Sequence, residues 1–186
     1  MRIIAGINRG IKLRTIEGRS LRPTSDRVRE SLFNILDGGK YPGSYKNKLV
    51  VDAFAGTGAV GLEALSRGAG HVIFCENSVT SLEVLHKNIR SLKASHTTTV
   101  LNLDATKIMR PSDKKAGLII LDPPYNSGLS IPCANQLRIH GWIDKKTLIV
   151  LEHETKEVIG IPKWMATIEN RQYGSTCLTF LRCDEN

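Results

Sequence analysis

At 186 residues, 41% hydrophobic and 24% charged, the chain has the size and balance of one globular domain able to bury its own core. It contains no run of about 18 apolar residues to suggest a membrane span. Cys75, Cys133, Cys177 and Cys183 lack both the C-x-x-C spacing of a zinc site and the pattern of a disulfide framework. The formal charge of +8 is unevenly spread: residues 1–48 hold 11 Lys or Arg against 4 Asp or Glu, and the remainder holds 15 against 14. A basic segment joined to a nearly neutral body fits a polyanionic partner, nucleic acid ahead of an anionic membrane.

The N-terminus, Met1-Arg2-Ile3-Ile4-Ala5-Gly6, lacks the apolar core of a signal peptide and predicts a cytoplasmic protein. Residues 2–16 read as two short strands around Asn8-Arg9-Gly10, a hairpin whose second arm alternates apolar and basic residues. One face can pack while Lys12 and Arg14 meet a phosphate backbone. Arg19, Arg22, Pro23 and Thr24 form a connector, and Thr24-Ser25-Asp26 offers caps for a helix reaching about Asp37. Val28, Leu32, Ile35 and Leu36 make its apolar stripe, with Arg27 and Glu30 elsewhere on the wheel.

The stretch Leu49 to Gly61 predicts a strand ending in Asp52, a loop with Gly56 and Gly58, and a helix from Ala59. Such a turn brings a ligand against bare backbone, because glycine has no Cβ to hold it away, and the helix start presents unpaired N–H groups. Gly56, Gly58 and Gly61 satisfy the G-x-G-x-x-G spacing of dinucleotide folds, with Glu76 where a ribose-binding acid belongs. A carboxylate at Asp52, however, repels a diphosphate and attracts an ammonium. The Asp-x-Phe-x-Gly-x-Gly form therefore suits S-adenosylmethionine, which carries an amino group and no phosphate.

A second strand, Val72 to Cys75, leads to Glu76, and Asn77 or Ser78 caps a helix with Leu82, Leu85 and Ile89 inward. Thr98 to Leu101 form a third strand ending near Asp104-Ala105, placed to meet an adenine edge. Asp52, Glu76 and Asp104 thus follow three successive strand-like runs, and ligands of parallel sheets bind at those carboxyl ends. A fourth, wholly apolar strand, Gly117 to Leu121, runs into Asp122-Pro123-Pro124-Tyr125. Two prolines fix the loop and remove two donors, leaving carbonyls free to accept. A nucleobase amine is planar and a poor nucleophile. Acceptors at Asp122 and the Pro123 carbonyl can hold both amino hydrogens and remove a proton as a bond forms, while Tyr125 offers a stacking face. A helix within Gly128 to His140, beginning after Pro132, a strand Thr147 to Glu152, and a strand pair Trp164–Tyr173 and Cys177–Leu181 complete the chain. Its five histidines show no metal spacing.

Several motifs together resemble the bacterial 16S rRNA guanine-N2 methyltransferases of the RsmD type. They are the hairpin with Arg9-Gly10, the run from Arg22-Pro23-Thr24 to Asn34, Asp52 to Gly58, Leu62 to Ala69, Asp122 to Tyr125, Gly141-Trp142, and Tyr173 to Thr176. The resemblance covers nearly the whole chain. It implies an α/β, Rossmann-like class I methyltransferase fold with a seven-stranded, mostly parallel sheet, an antiparallel last strand and a small N-terminal hairpin extension. On this reading residues 1–20 are the basic extension and 21–186 the methyltransferase domain. S-adenosyl-L-methionine is the expected cofactor, held by Asp52, Phe54, Ala55, Gly56, Gly58, Glu76, Asn77, Asp104 and Ala105. Asp122, Pro123, Pro124 and Tyr125 are the expected catalytic residues, and Arg9, Lys12, Arg14, Arg22, Thr24 and Arg27 the RNA contacts. The expected partner is 16S rRNA or a partly assembled 30S particle, with the protein a monomer and no membrane involved. Rival readings are an adenine-N6 DNA methyltransferase, which shares Asp-Pro-Pro-Tyr, a nicotinamide oxidoreductase, and a non-catalytic RNA-binding assembly factor.

Overall fold

The apolar runs read as strands from Leu49 onward all become strands in the computed structural model, which describes residues 1–16, 25–109 and 111–184. Helix α1 (Ser25–Asp37) leads to β1 (Leu49–Asp52), α2 (Ala59–Ser66), β2 (His71–Glu76), α3 (Val79–Ser91) and β3 (Thr98–Asn102). Then come β4 (Ala116–Leu121), α4 (Ser130–Ile139), β5 (Leu148–Glu154), β6 (Met165–Tyr173) and β7 (Thr176–Cys183). The strands form one seven-stranded sheet in the order β3-β2-β1-β4-β5-β7-β6. Strands β1 to β5 are mutually parallel, and β7 lies antiparallel to both β5 and β6. Among the described residues no helix is long and apolar enough to cross a membrane.

Side-chain alternation sorts the core into two layers. Val50, Val72, Phe74, Leu118, Ile120, Leu148, Val150, Leu178 and Phe180 pack on one face against α1, α2 and α3. On the other face Val51, Ile119, Leu121, Ile149 and Leu151 meet Cys133, Ala134 and Leu137 of α4 together with Trp142. Covered on both sides, β4 is buried along its whole length, which accounts for its unbroken apolar sequence. Cys75, Cys133 and Cys177 are buried thiols. Helix α4 begins two residues before Pro132, not after it. In the first turn a missing N–H costs no intrahelical bond.

The N-terminal hairpin forms one antiparallel bridge, Arg2 to Lys12, not two strands. Ile3 and Leu13 N–H still bond across it to the Ile11 and Met1 carbonyls, and Gly10 N–H to the Ile3 carbonyl, but four amides between them are drawn to groups of the body. Ile4 and Ala5 N–H donate to the Glu63 carboxylate at 2.8 and 3.0 Å. Ile7 N–H donates to the Ser66 carbonyl and Asn8 N–H to Ser66 Oγ. Gly6 has φ +85, and a Cβ there would stand 1.8 Å from the Ser66 carbonyl oxygen, so only glycine permits this approach. Ile3 and Leu13 are buried in the same cluster as the sheet.

Glu63, fully buried in α2, also accepts from Arg67 Nε at 2.7 Å and lies 3.7 Å from Arg29 Nε on α1. Truncation in Glu63→Ala would strand two hairpin amides and leave the buried Arg29 with Asp26, 3.1 Å away, as its remaining carboxylate. We expect a loss of about 3–5 kcal/mol in urea unfolding, with faster hydrogen exchange at Ile4 and Ala5. A change below about 1 kcal/mol would show that this carboxylate does not tie the hairpin to the body.

Candidate functional site

Chain order reverses between β1 and β4, so the connections leaving their carboxyl ends diverge to opposite sides and open a crevice there. A cavity of about 580 Å³ occupies it. Asp52, Phe54, Ala55, Gly56, Glu76, Asn77, Asp104 and Ala105 border the cavity on one side, and Asp122, Pro123 and Pro124 on the other. The two sequence motifs thus meet at one opening.

The expected glycine roles separate. Gly56 has φ +54, and nothing lies within 4 Å of where its Cβ would be, so bare backbone faces open space. Gly58 does not border the cavity: its Cβ would stand 2.3 Å from Leu85, and it packs the turn onto α3. Gly61 lets α2 lie on the Phe74 ring, 2.3 Å from its Cβ position.

The acids differ in their surroundings. Asp52 is buried, and its Oδ2 accepts the Gly61 N–H at 2.9 Å. Burial pushes its carboxyl up to about 7 against the lowering pull of that hydrogen bond, and the charge of Glu76 adds to the rise. A helix N-terminal amide that could serve a diphosphate is already taken by the protein's own acid. Glu76 Oε2 accepts from Gly56 N–H at 2.7 Å, and its Oε1 from Asn77 and Ser78 N–H at 2.9 and 2.7 Å. The carboxylate therefore fixes the glycine turn to the end of β2. Asp104 caps the short Ala105–Lys107 helix. Hydrogen bonds from the Thr106 hydroxyl and N–H hold its carboxyl below the usual range.

On the far side, Pro123 is buried and Pro124 exposed, and Asp122 is half-buried. Tyr125 is half-buried but does not border the cavity. Its hydroxyl lies 2.8 Å from Thr176 Oγ1 and donates to Glu152 Oε1 at 3.3 Å, pinning the loop to β5 and β7. Glu152 itself borders the cavity, as do Arg29, Val28 and Leu32 of α1. Sequence reasoning missed these four as site residues. Glu152 was legible by the rule that found the other acids, since it follows the apolar run of β5. Arg29 carried no such signal, because a basic residue on a helix reads as exposed until the helix is packed.

Of the expected RNA contacts, Arg9, Lys12, Arg14 and Arg27 are exposed; Arg22 and Thr24 lie outside the described residues. Arg9 and Arg27 come together with Arg2 around a second cavity of about 480 Å³ between the hairpin and α1, whose border also includes Asp26 and Glu30. Lys12 and Arg14 stand apart on the second arm, alternating with buried Leu13. The Arg14 backbone is held on both sides by Asn88, which accepts its N–H at 2.8 Å and donates to its carbonyl at 3.1 Å. The same amide donates to the Thr57 carbonyl in the glycine turn at 2.9 Å.

The family described as conserved hypothetical protein 95 matches residues 1–182. Ribosomal RNA small subunit methyltransferase D of Escherichia coli strain K12 is 37% identical over 162 residues, 87% of this chain and 78% of that protein. The protein of the same name from Haemophilus influenzae is 33% identical over 177 residues, 94% of this chain and 89% of that one. The solved structure of the Escherichia coli protein yhhF superposes with a TM-score of 0.83 at 33% identity, covering 100% of this chain and 99% of that chain. With the motifs, the sheet order and these similarities agreeing from end to end, the chain belongs to the conserved hypothetical protein 95 family, the RsmD family of methyltransferases.

Proposed function

We propose that this chain transfers the methyl group of S-adenosyl-L-methionine to the exocyclic N2 of a guanine in 16S rRNA, acting as a cytoplasmic monomer on a partly assembled 30S particle. The observation that carries the reading is the single cavity in which the Asp52–Gly56 turn faces Asp122-Pro123-Pro124. Its residues fit the donor. Gly56 leaves open space beside its backbone, and Asp52 offers negative charge to a cation. Glu76 and the Asp104-Ala105 segment border the part suited to hydroxyls and an adenine edge. When bound, S-adenosylmethionine supplies a methyl group on a positively charged sulfur.

The chain's own contribution is to the acceptor. A flipped base entering over Pro123 and Pro124 brings its amine to Asp122. The Asp122 carboxylate and the Pro123 carbonyl accept the two amino hydrogens, turning the nitrogen lone pair away from the ring, and Asp122 takes the proton as the new C–N bond forms. The prolines hold this geometry rigid, and the Tyr125 hydroxyl bond fixes its far end. Asp122→Ala should lower methyl transfer by a factor on the order of 10²–10⁴ while leaving S-adenosylmethionine affinity within about threefold by calorimetry. Unchanged turnover would remove Asp122 from the chemistry.

Asp52 makes cofactor binding pH-dependent. Because its carboxyl is raised, it favours the folded protein in its protonated form, a contribution present below the unfolded value and lost as pH rises through about 7. A cationic ligand prefers the ionised form, so affinity should fall as pH drops below 7, approaching tenfold per pH unit. Titrations from pH 5.5 to 8.5 should show this fall in the wild type and its loss in Asp52→Asn; parallel curves would contradict it.

Exposed Arg9, Lys12, Arg14 and Arg27 serve the RNA backbone. Reversing Lys12 and Arg14 to Glu should weaken RNA binding and flatten the log–log salt dependence by about 0.7 for each phosphate no longer neutralised, with cofactor affinity unaltered. An unchanged salt slope would locate the RNA surface elsewhere.

A further inference from the structure

Strands β4 and β5 are in register from Leu118 with Leu148 to Leu121 with Leu151. Asp122 is the first residue past the end of β4, and continuing that register one step puts it level with Glu152, neighbouring strands being about 4.8 Å apart. Both follow residues, Ile120 and Val150, whose side chains pack on the α1 face. Alternation sends both acids to that side, and both border the same cavity. Glu152 is also oriented: its Oε1 accepts the Tyr125 hydroxyl, which is itself within 2.8 Å of Thr176 Oγ1. That bond restrains Oε1 of the carboxylate on the Tyr125 side.

Two carboxylates on one cavity wall, each with two oxygens that can accept more than one hydrogen bond, can together receive two adjacent donors of one base. We propose that Glu152 selects guanine, its carboxylate accepting the N1–H next to the N2 amine that Asp122 holds. The inference rests on the guanine-N2 reading above and names the residue that makes the site choose that base. Guanine presents N1–H directly beside its amine. Adenine and cytosine each place a lone pair beside theirs, at N1 and N3, and a carboxylate facing that lone pair repels it. Shape alone separates these bases poorly, whereas a buried acceptor left without its donor rejects the wrong one strongly.

The test is an RNA in which the guanosine methylated by the wild type has been mapped and then replaced by 2-aminopurine riboside. That base keeps the 2-amino group and has a lone pair at N1. The wild type should prefer guanine in kcat/KM by a factor on the order of 100. Glu152→Gln preserves an acceptor for Tyr125 while offering an N–H to the N1 lone pair, so the guanine to 2-aminopurine ratio should narrow by roughly tenfold or more. An identical ratio in both proteins would overturn the proposal and leave Glu152 as an anchor for Tyr125. Absence of N2-methylguanosine from the wild-type reaction would instead overturn the proposed function and this inference with it.

Discussion

A carboxylate without solvent must find all of its partners inside the protein, and Glu63 finds them on three separate pieces of chain. Two are backbone amides of the N-terminal hairpin, one is Arg67 at the end of its own helix, and one is Arg29 on α1. Because α2 also starts at the glycine turn, the group that anchors the basic N-terminal arm sits on the same helix whose first turn holds Asp52. The hairpin and α1 are therefore fixed relative to the cavity. Val28, Arg29 and Leu32 form part of its wall.

From that frame the site follows as a consequence of strand geometry. Parallel strands deliver their carboxyl ends to one edge, and the chain places an acid near that end of each of five of them: Asp104, Glu76, Asp52, Asp122 and Glu152 in sheet order, with Glu152 two residues short of the end of β5. Their roles diverge with environment. Asp52 is buried and raised, Asp104 is hydrogen-bonded and lowered, and Glu76 is spent largely on backbone amides. One row of like residues thus yields a buried acid bordering the cavity, two loop anchors, and a pair beside the Pro-Pro rim. Asn88 joins this row to the hairpin through Thr57 and Arg14.

Local signals were legible. The strand of β4, the Asp122-Pro123-Pro124 loop and the glycine turn are each written in fewer than ten consecutive residues, and backbone preference decides them. What failed to show was everything settled by distant partners. Glu63 reads as one polar position in an apolar helix, yet its partners lie 58 and 59 residues away; Asn88 meets Arg14 across 74. The glycine spacing also concealed a division of labour, since Gly56 opens to the cavity whereas Gly58 and Gly61 serve helix packing. The hairpin's missing strands have the same origin: Glu63 and Ser66 compete successfully for amides that a local reading assigns to cross-strand bonds.

Methyl transfer to guanine N2 in small-subunit rRNA is tested most directly by incubating the protein with radiolabelled S-adenosylmethionine and either free 16S rRNA or 30S particles, followed by nucleoside analysis. Label in N2-methylguanosine is expected, more of it in particles than in free RNA. Label confined to N6-methyladenosine, or none despite measurable cofactor binding, would contradict the proposed reaction.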